Sequence, residues 1–584
     1  VAISLDTYAI AACYLRDNTS LLTSDEVKLI EGWLRSRALK KLATCSSDPG
    51  FNNKSRDVLR FLMQLEAFFK KNSGFTDPKV AREAAINSFE RGERLCRITN
   101  RRLDYYFMKR DRIDQDLQNV IEYAESFIQS TLGAVRPFLD ELPELVKLTG
   151  GATASLKRRD SQPAFKIKRT TEMNLGTVPY FDALCNLHGY KAKMKVVTAN
   201  RVEFVAKSWK TDRGIACEPT GSLPFQLAFD SYCKRRLRRR GVDLRFQDRN
   251  QDAAREGSIS GLKATIDMSM ASDTLAFNTV AWLLPRDWFN YVNAHRSPQY
   301  RLKGRLGFYA KFSSMGNGAT FALETLVFLA LARGCGDKDA IVYGDDVVIA
   351  SQCAPLFYRA LKFFGFIPNV EKSYTEGPFR ESCGGNYYDG VDITPFYIRS
   401  VVPWDIPNVC HNLNGLQTIC SPYGELFGYI ERIVMDNRKV IPLVPYNADT
   451  MNGFHIHPHF AYKLKLLTYS KKYGPYILTF RGLVKKAKKT NIWDTRSRTL
   501  WYLRVYKRRL PGQDFFKAWL MCHLGAGRTP AFEDYYELQD CSSYDVPSEK
   551  FRRGVLRWEF PAVDGALKDI FYLSNSLATR MGCL

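Results

Sequence analysis

The chain lacks the spacings that usually announce a metal finger or a redox centre. Its fourteen cysteines are scattered over 584 residues, from Cys13 to Cys583, with no Cys-x-x-Cys pair. That distribution fits reduced thiols in a cytosol better than a disulfide framework. There is no Gly-Lys dipeptide, which excludes a Walker A loop, and no His-Glu pair, which excludes an His-Glu-x-x-His zinc protease. Histidine is scarce. Of the seven, His455, His457 and His459 alternate, but Pro458 and the want of a nearby Cys or acidic cluster favour a chance loop grouping over a metal site. No apolar run approaches the ~20 residues of a membrane-spanning helix. The longest, Phe321 to Ala332, is interrupted by Glu324 and reads as a buried core helix, so no membrane partner is expected. Repeats, low-complexity segments and Gly/Ser/Pro linkers are missing as well, which predicts one large interlocked body. No secretory signal is evident at Val1-Ala2-Ile3-Ser4.

What the chain has in excess is positive charge. A formal net charge of +24, a pI near 9.4 and 13% aromatic residues point to a polyanionic partner, since neutralising phosphates releases counterions and aromatic rings stack on bases. The first 150 residues read as helical, with amphipathic stretches from Arg56 to Lys71 and from Asp116 to Leu132. A basic, glycine-punctuated segment follows from Gly150-Gly151 to Arg169, then the helix-like run Lys234 to Arg240. Beyond about residue 400 the pattern is irregular, with basic clusters at Lys485 to Lys489 and at Lys507-Arg508-Arg509. Any one cluster can be a solvated face. Their recurrence makes Arg235, Arg236, Arg238 and Arg239 candidates for an RNA path.

The most informative stretch is Tyr343-Gly344-Asp345-Asp346, set between the β-branched runs Ala340 to Tyr343 and Val347 to Ala350. Gly344 supplies the backbone freedom of a short hairpin turn. Two carboxylates at the tip of an apolar hairpin repel each other and lose solvation, which makes physical sense when a divalent cation sits there, magnesium being the natural hard ion. The alternative is an ordinary Gly-Asp turn with solvated acids. Leu262 to Ile266 reads as a strand ending at Asp267. If that strand lies beside the hairpin, Asp267 and Asp345 fall within bridging distance of two metal ions about 3.5–4 Å apart. Asp273 follows, before the helical pattern Leu275 to Leu284, and can equally be a helix N-cap.

Asp267-x5-Asp273, Gly316-x3-Thr320 and Tyr343-Gly344-Asp345-Asp346 stand in the order and rough spacing of the palm motifs of template-directed RNA polymerases. The finer text is closer still to one group. Ala264-Thr265-Ile266-Asp267-Met268-Ser269, Ser313-Ser314-Met315-Gly316-Asn317-Gly318 and Gly377-Pro378-Phe379-Arg380-Glu381-Ser382 resemble the replicase catalytic subunit of the leviviruses, the single-stranded RNA bacteriophages. Asp392-x-Thr394-Pro395-Phe396 and, upstream, Asp212-Arg213-x-Ile215-Ala216-x-Glu218-Pro219 continue the match, which is dense from about 150 to 400.

The resemblance implies an α+β right-hand polymerase with fingers, a palm built on a small antiparallel sheet, and a thumb. The expected division is a mainly helical region over 1–149, fingers over 150–258, palm over 259–400 and thumb with C-terminal region over 401–584. It further implies RNA-directed RNA synthesis from ribonucleoside triphosphates with two Mg2+ ions, on an RNA template, by primer-independent initiation, in the cytoplasm of an infected bacterium. By motif position, Asp267 and Asp345 would hold the metals with Asp346 as helper. Asp273 would read the ribose 2′-hydroxyl, and Lys207, Lys210 and Arg213 would contact the triphosphate. Lys372 would be the general acid for the leaving group, and Gly316, Asn317 and Thr320 would border the nucleotide. Each of Lys207, Lys210, Arg213 and Lys372 can instead be a surface cation, and glycines also serve plain loops. Met315 and Glu324 depart from the wider RNA polymerase pattern, which leaves open whether Asn317 or Ser314 shares ribose recognition. Host partners implied are elongation factors Tu and Ts and a ribosomal RNA-binding protein. A reverse transcriptase shares the palm acids, but such enzymes usually place a bulky side chain where Asp273 stands. A silent RNA-binding protein would not be expected to keep all three acids.

Overall fold

The computed structural model describes residues 3–51, 54–157, 170–187, 194–398, 405–470, 474–491, 543–558 and 566–581. The Lys507-Arg508-Arg509 cluster and residues 158–169 of the glycine-punctuated segment lie outside the described residues. In chain order, the elements that matter for the site begin with helices α1 (Thr7–Asp17), α2 (Arg56–Lys70), α3 (Pro78–Met108) and α4 (Gln115–Leu132). Strands β1 (Ala199–Ala206) and β2 (Asp212–Cys217) follow, then α5 (Leu223–Arg239), α6 (Asp248–Ser260) and β3 (Lys263–Ile266). Next come β4 (Gln299–Leu302), β5 (Arg305–Phe308), α7 (Thr320–Gly334), β6 (Ile341–Tyr343), β7 (Asp346–Ala350), α8 (Ala354–Phe363) and β8 (Phe379–Ser382). The C-terminal part contains α9 (Ile406–Gln417), α10 (Glu425–Asp436), the antiparallel pair β9 (Gly474–Asn491) and β10 (Ser543–Arg557), and α11 (Ala566–Arg580). The Lys485 to Lys489 cluster lies on β9, where only the backbone is described.

The fold is α+β. Its central sheet is antiparallel, in the order β3-β7-β6, so the strand ending at Asp267 does lie beside the hairpin. A second sheet, β2-β1-β4-β5, carries the Lys207 to Arg213 turn. Helix α7 is apolar on all sides, and the fold buries it on all sides, as a helix without a polar face requires. No helix among the described residues is long and apolar enough to cross a membrane. The eleven cysteines among the described residues are free thiols.

Two hydrophobic cores divide the chain differently from its linear order. One unites Leu103, Ile128 and Phe138 with Phe225, Ile266, Leu326, Val347 and Phe366. The other joins Ile10, Phe61 and Phe69 of the N-terminal helices to Leu413, Ile430, Phe454 and Leu573. Helix α3 joins the first through Leu103, while its Ile86 and Phe89 pack in a smaller cluster with Val202 and Leu302. Asp77 caps it through the Lys79 N–H, Pro78 opens it, and buried Ala81, Ala85, Phe89, Cys96 and Leu103 recur at helical spacing along its inner side.

Strand β8 is fixed to β3 through Arg380, which is fully buried. Its guanidinium donates to the carbonyls of Lys263 at 2.6 Å, Gly377 and Phe379 at 2.7 Å, and Glu376 at 3.1 Å. Burial pulls its pKa down, and the ring of carbonyls takes the place of water. A lysine has neither the planar fork nor enough donors for these acceptors. Arg380→Lys should therefore lower the free energy of unfolding by at least about 2 kcal/mol, through carbonyls left buried and unpaired. Denaturant titration of the two proteins checks this, and an unchanged midpoint would show that the carbonyls are satisfied otherwise.

Candidate active site

The central sheet brings the predicted acids to one end. Ile266 pairs with Val347 and Tyr343 with Asp346, so Asp267, Asp345 and Asp346 all emerge where β3, β7 and the hairpin turn meet. The turn is tight for a reason visible in its packing. Gly344 has φ +64°, and a Cβ there would stand 2.7 Å from the Phe321 ring. Its N–H donates to Thr325 Oγ1 at 3.0 Å, and Phe321 meets Tyr343 edge-on at 5.2 Å. Helix α7 is thus the floor on which the carboxylates stand. The Asp267 carboxylate accepts from Asn369 Nδ2 at 2.8 Å and lies 4.0 Å from Lys372 Nζ.

Burial and mutual repulsion raise Asp345 and Asp346. Asp346 is pushed up to about 7, first by burial and then by Asp345, while Asp345 is raised by burial, with Asp267 adding and Lys207 and Lys372 opposing. Buried Glu324, on α7, is pushed up to about 8 by burial, with Asp345 and Asp273 contributing. Uncompensated negative charge at an all-oxygen donor set is what a hard divalent cation relieves. Among the described residues no cluster of three or more His, Cys, Asp or Glu encloses a metal by itself. The residues suit magnesium, which takes one or two carboxylates and completes its shell with water and substrate phosphates.

Cations face these acids. Lys207, near the β1–β2 turn, is pulled down first by desolvation of its ammonium and then by Arg213 and Lys372, while Asp345 and Asp267 act in the opposite sense. Burial also works to lower Lys372, but Glu381 and Asp267 outweigh it and carry its pKa up, so it is protonated at neutral pH. Lys210 is exposed in the turn itself, its backbone N–H donating to Ser208 Oγ at 3.3 Å.

Other expectations are refined. Asp273 is no N-cap: it lies within the short helix Ala271–Thr274, and the following helix Phe277–Leu283 starts at Ala276 with no side-chain cap. Its carboxylate instead accepts from Lys311 Nζ at 2.7 Å. Gly316 has φ +107°, and a Cβ there would collide with the Ala216 carbonyl, so protein backbone on β2 by itself accounts for this glycine. Asn317 Oδ1 accepts from the Ala319 N–H at 2.9 Å, and Thr320 Oγ1 donates to the Ser314 carbonyl at 3.1 Å, so both fix the loop before α7. In the basic run, Arg235 pairs with Glu141 and Arg236 donates to the Thr131 carbonyl, whereas Arg238 and Arg239 are exposed. The three histidines occupy a strand and a helix start rather than a loop, His455 buried and His457 accepting from the His459 N–H. Sequence reasoning missed Asn369, Lys311 and Glu93; no motif or spacing ties those positions to Asp267 or Asp273.

Residues 27–421 match the protein family described as RNA replicase, beta-chain. The chain is 37% identical over 345 residues to the RNA-directed RNA polymerase subunit beta of Escherichia virus Qbeta, covering 57% of this chain and 58% of that subunit. It is 38% identical to the corresponding subunit of Enterobacteria phage SP, over 54% of this chain and 56% of the relative. With the beta chain of Escherichia phage MS2 it shares 39% identity, over 36% of this chain and 39% of the relative. The match thus spans under two thirds of these relatives' length. Among solved structures, the BmCPV RNA-dependent RNA polymerase at elongation state is similar at TM-score 0.38 and 12% identity, over 55% of this chain and 33% of that one. The RNA-dependent RNA polymerase of a human picorbirnavirus is similar at TM-score 0.30 and 13% identity, over 67% of this chain and 92% of that one.

The raised acids make a pH prediction for the metal-free protein. A group whose folded pKa exceeds its unfolded one binds more protons when folded, so stability falls as pH rises through that interval. For Asp346 the interval ends at about 7 and for Glu324 at about 8. Buried His295 and His455, both lowered by burial, act in the opposite sense below their ordinary value of 6.5, so the window to read is above it: in a chelator, the denaturation midpoint should fall as pH is raised from about 6.5 to about 8, and millimolar magnesium should remove much of the fall. A metal-free midpoint that rises over this range would overturn the reading.

Proposed function

The chain belongs to the RNA replicase beta-chain family, and from that premise we propose that it is an RNA-directed RNA polymerase that replicates a positive-strand RNA phage genome. The observation that carries this reading is the convergence of Asp267, Asp345 and Asp346 at one end of the β3-β7-β6 sheet, opposite the Lys207 and Arg213 cations. The reaction joins an RNA 3′-hydroxyl oxygen to the α-phosphorus of a ribonucleoside triphosphate and expels pyrophosphate, on an RNA template.

In this reading Asp267 and Asp345 hold two Mg2+ ions and Asp346 assists. Bound there, such ions lower the pKa of the attacking hydroxyl and neutralise charge developing on the phosphates. Lys207, Lys210 and Arg213 bind the triphosphate, in a protein-walled site where their charges act more strongly than in water. Lys372, protonated at neutral pH, donates its proton to the departing pyrophosphate. Asp273 accepts from the ribose 2′-hydroxyl, and the loop of Gly316, Asn317 and Thr320 borders the nucleotide. Residues 150–258 serve as fingers and 259–400 as palm. The thumb is assigned to 401–584, whose described helices share a core with the N-terminal helices. Initiation without a primer, work in the bacterial cytoplasm, and elongation factors Tu and Ts with a ribosomal RNA-binding protein as partners complete the proposal.

Two experiments test it. Asp267→Asn and Asp345→Asn keep size and hydrogen bonding but remove charge, so nucleotide incorporation should fall at least on the order of a hundredfold while RNA binding survives. Near-normal extension by either variant would sink the assignment. For the RNA path, Ala at exposed Arg238 and Arg239 should reduce the slope of log affinity against log salt by roughly 0.7 per lost single-strand contact. Ala at Arg235 and Arg236, already engaged by Glu141 and Thr131, should leave that slope unchanged and lower stability instead. An unchanged slope in the Arg238 and Arg239 variants would return the run to a solvated face.

A further inference from the structure

Lys311 has no exposed side-chain surface, a rare state for a lysine. It lies in the segment that leads into the Ser313 to Gly318 loop, and it is tied to the approach to Phe277–Leu283 by a bridge between Ala276 and Lys311. The Phe312 N–H donates to the Leu275 carbonyl at 2.8 Å, which fixes the same crossing from the next residue. The ammonium is compensated from three sides. Asp273 Oδ1 lies at 2.7 Å, Glu93 Oε1 on helix α3 at 3.6 Å, and the Phe89 ring centroid at 3.7 Å. A buried charge persists only with partners of this kind, since loss of hydration otherwise favours the neutral form.

The arrangement is asymmetric in a way that matters for the substrate. Glu93 is 2% exposed and its other oxygen already accepts from the Ala310 N–H at 2.7 Å, so it is anchored in the protein interior. Asp273 keeps 33% of its side chain exposed. Lys311 therefore grips Asp273 by one carboxylate oxygen from behind and leaves the carboxylate accessible from the front. The backbone beneath Asp273 is fixed as well: a Cβ on Gly92 would stand 2.8 Å from its carbonyl, to which Cys96 Sγ also donates at 3.4 Å.

We propose that Lys311, seated on Phe89 and Glu93, is a positioning residue for sugar selection: it fixes the Asp273 carboxylate in the orientation that accepts the ribose 2′-hydroxyl. The inference rests on the reading of Asp273 given under Proposed function. A lone exposed carboxylate rotates among several orientations and hydrogen-bonds water in most of them. Held by an interior cation, it presents one edge to the site, and a deoxyribonucleotide leaves that edge unpaired. Lys311 touches no substrate and acts through Asp273.

The test uses the full chain with template RNA, reading kcat/KM for a ribonucleotide and for its 2′-deoxy analogue. The main variant is Lys311→Met combined with Glu93→Gln, which removes the cation without stranding the Glu93 charge. The ribo-to-deoxyribo ratio is expected to fall at least tenfold, mainly through a raised KM for the ribonucleotide. Adding Asp273→Ala to that variant should lower the ratio little further, because the lysine acts through the aspartate. Equal loss for both nucleotides, with the ratio kept, would make Lys311 a fold residue only and overturn the proposal. If the main variant does not fold, Phe89→Leu is read in its place, since it keeps every charge and removes the ring beneath the ammonium. A severalfold fall in the ratio is expected there, and an unchanged ratio would overturn the proposal. Asp273→Ala alone separates the two readings: an unchanged ratio in it refutes the role of Asp273 itself, whereas a collapsed ratio there beside an intact one in the Lys311 variant refutes only the role of Lys311.

Discussion

Carboxylates crowded against an apolar sheet end are the constraint around which the rest of the structure is organised. Asp267, Asp345 and Asp346 share one end of β3-β7-β6, and Asp273 and the buried Glu324 lie within electrostatic reach. Water would screen such a cluster, but the floor of α7 and the strands take much of that water away. Burial and repulsion push Asp346 and Glu324 up, which is a cost to the metal-free protein. An arrangement that costs stability is not a contribution to folding and marks a candidate functional site.

The surrounding elements answer that charge at graded depth. Lys207 and Arg213 stand at the β1–β2 turn, with Lys207 within electrostatic reach of Asp345 and Asp267. Lys372 stands at the edge of the Asp267 carboxylate, half-buried and kept protonated by Glu381 and Asp267. Lys311 is wholly interior and bound to two acids at once. Backbone contacts fix the same geometry, with Gly344 against Phe321, Gly316 against Ala216, and Arg380 tying β8 to β3.

Much of the site was legible in the sequence because its signals are local. The hairpin needed a glycine between two β-branched runs, and the structure has Gly344 at φ +64° between β6 and β7. The helices expected over Arg56 to Lys71 and Asp116 to Leu132 are found as Arg56–Lys70 and Gln115–Leu132, their amphipathic spacing being a property of a few turns. Asp273 was ambiguous for a physical reason. An Asp before a helical pattern is a common cap, but Asp273 lies inside the short helix Ala271–Thr274 and its carboxylate is held by Lys311 from 38 residues away. The Arg235 to Arg239 run looked uniform in sequence, yet Glu141 and Thr131 engage two of its members and leave two exposed.

The sequence by itself determined which residue types stand at which motif positions, that a hairpin and amphipathic helices form at the stretches named, and the excess of positive charge that calls for a polyanion. These follow from backbone propensity, side-chain period and composition, all readable within a window of neighbours. Tertiary structure alone decided that the first helices share a core with the last ones, as the hydrogen bonds of Gln64 with Phe396 and of Asp17 with Glu425 attest. It also decided that Glu93, Asp273 and Lys311 meet. The physical reason is the same in each case: burial of a charge or an apolar face is settled by whichever distant segment covers it, and no local pattern names that segment.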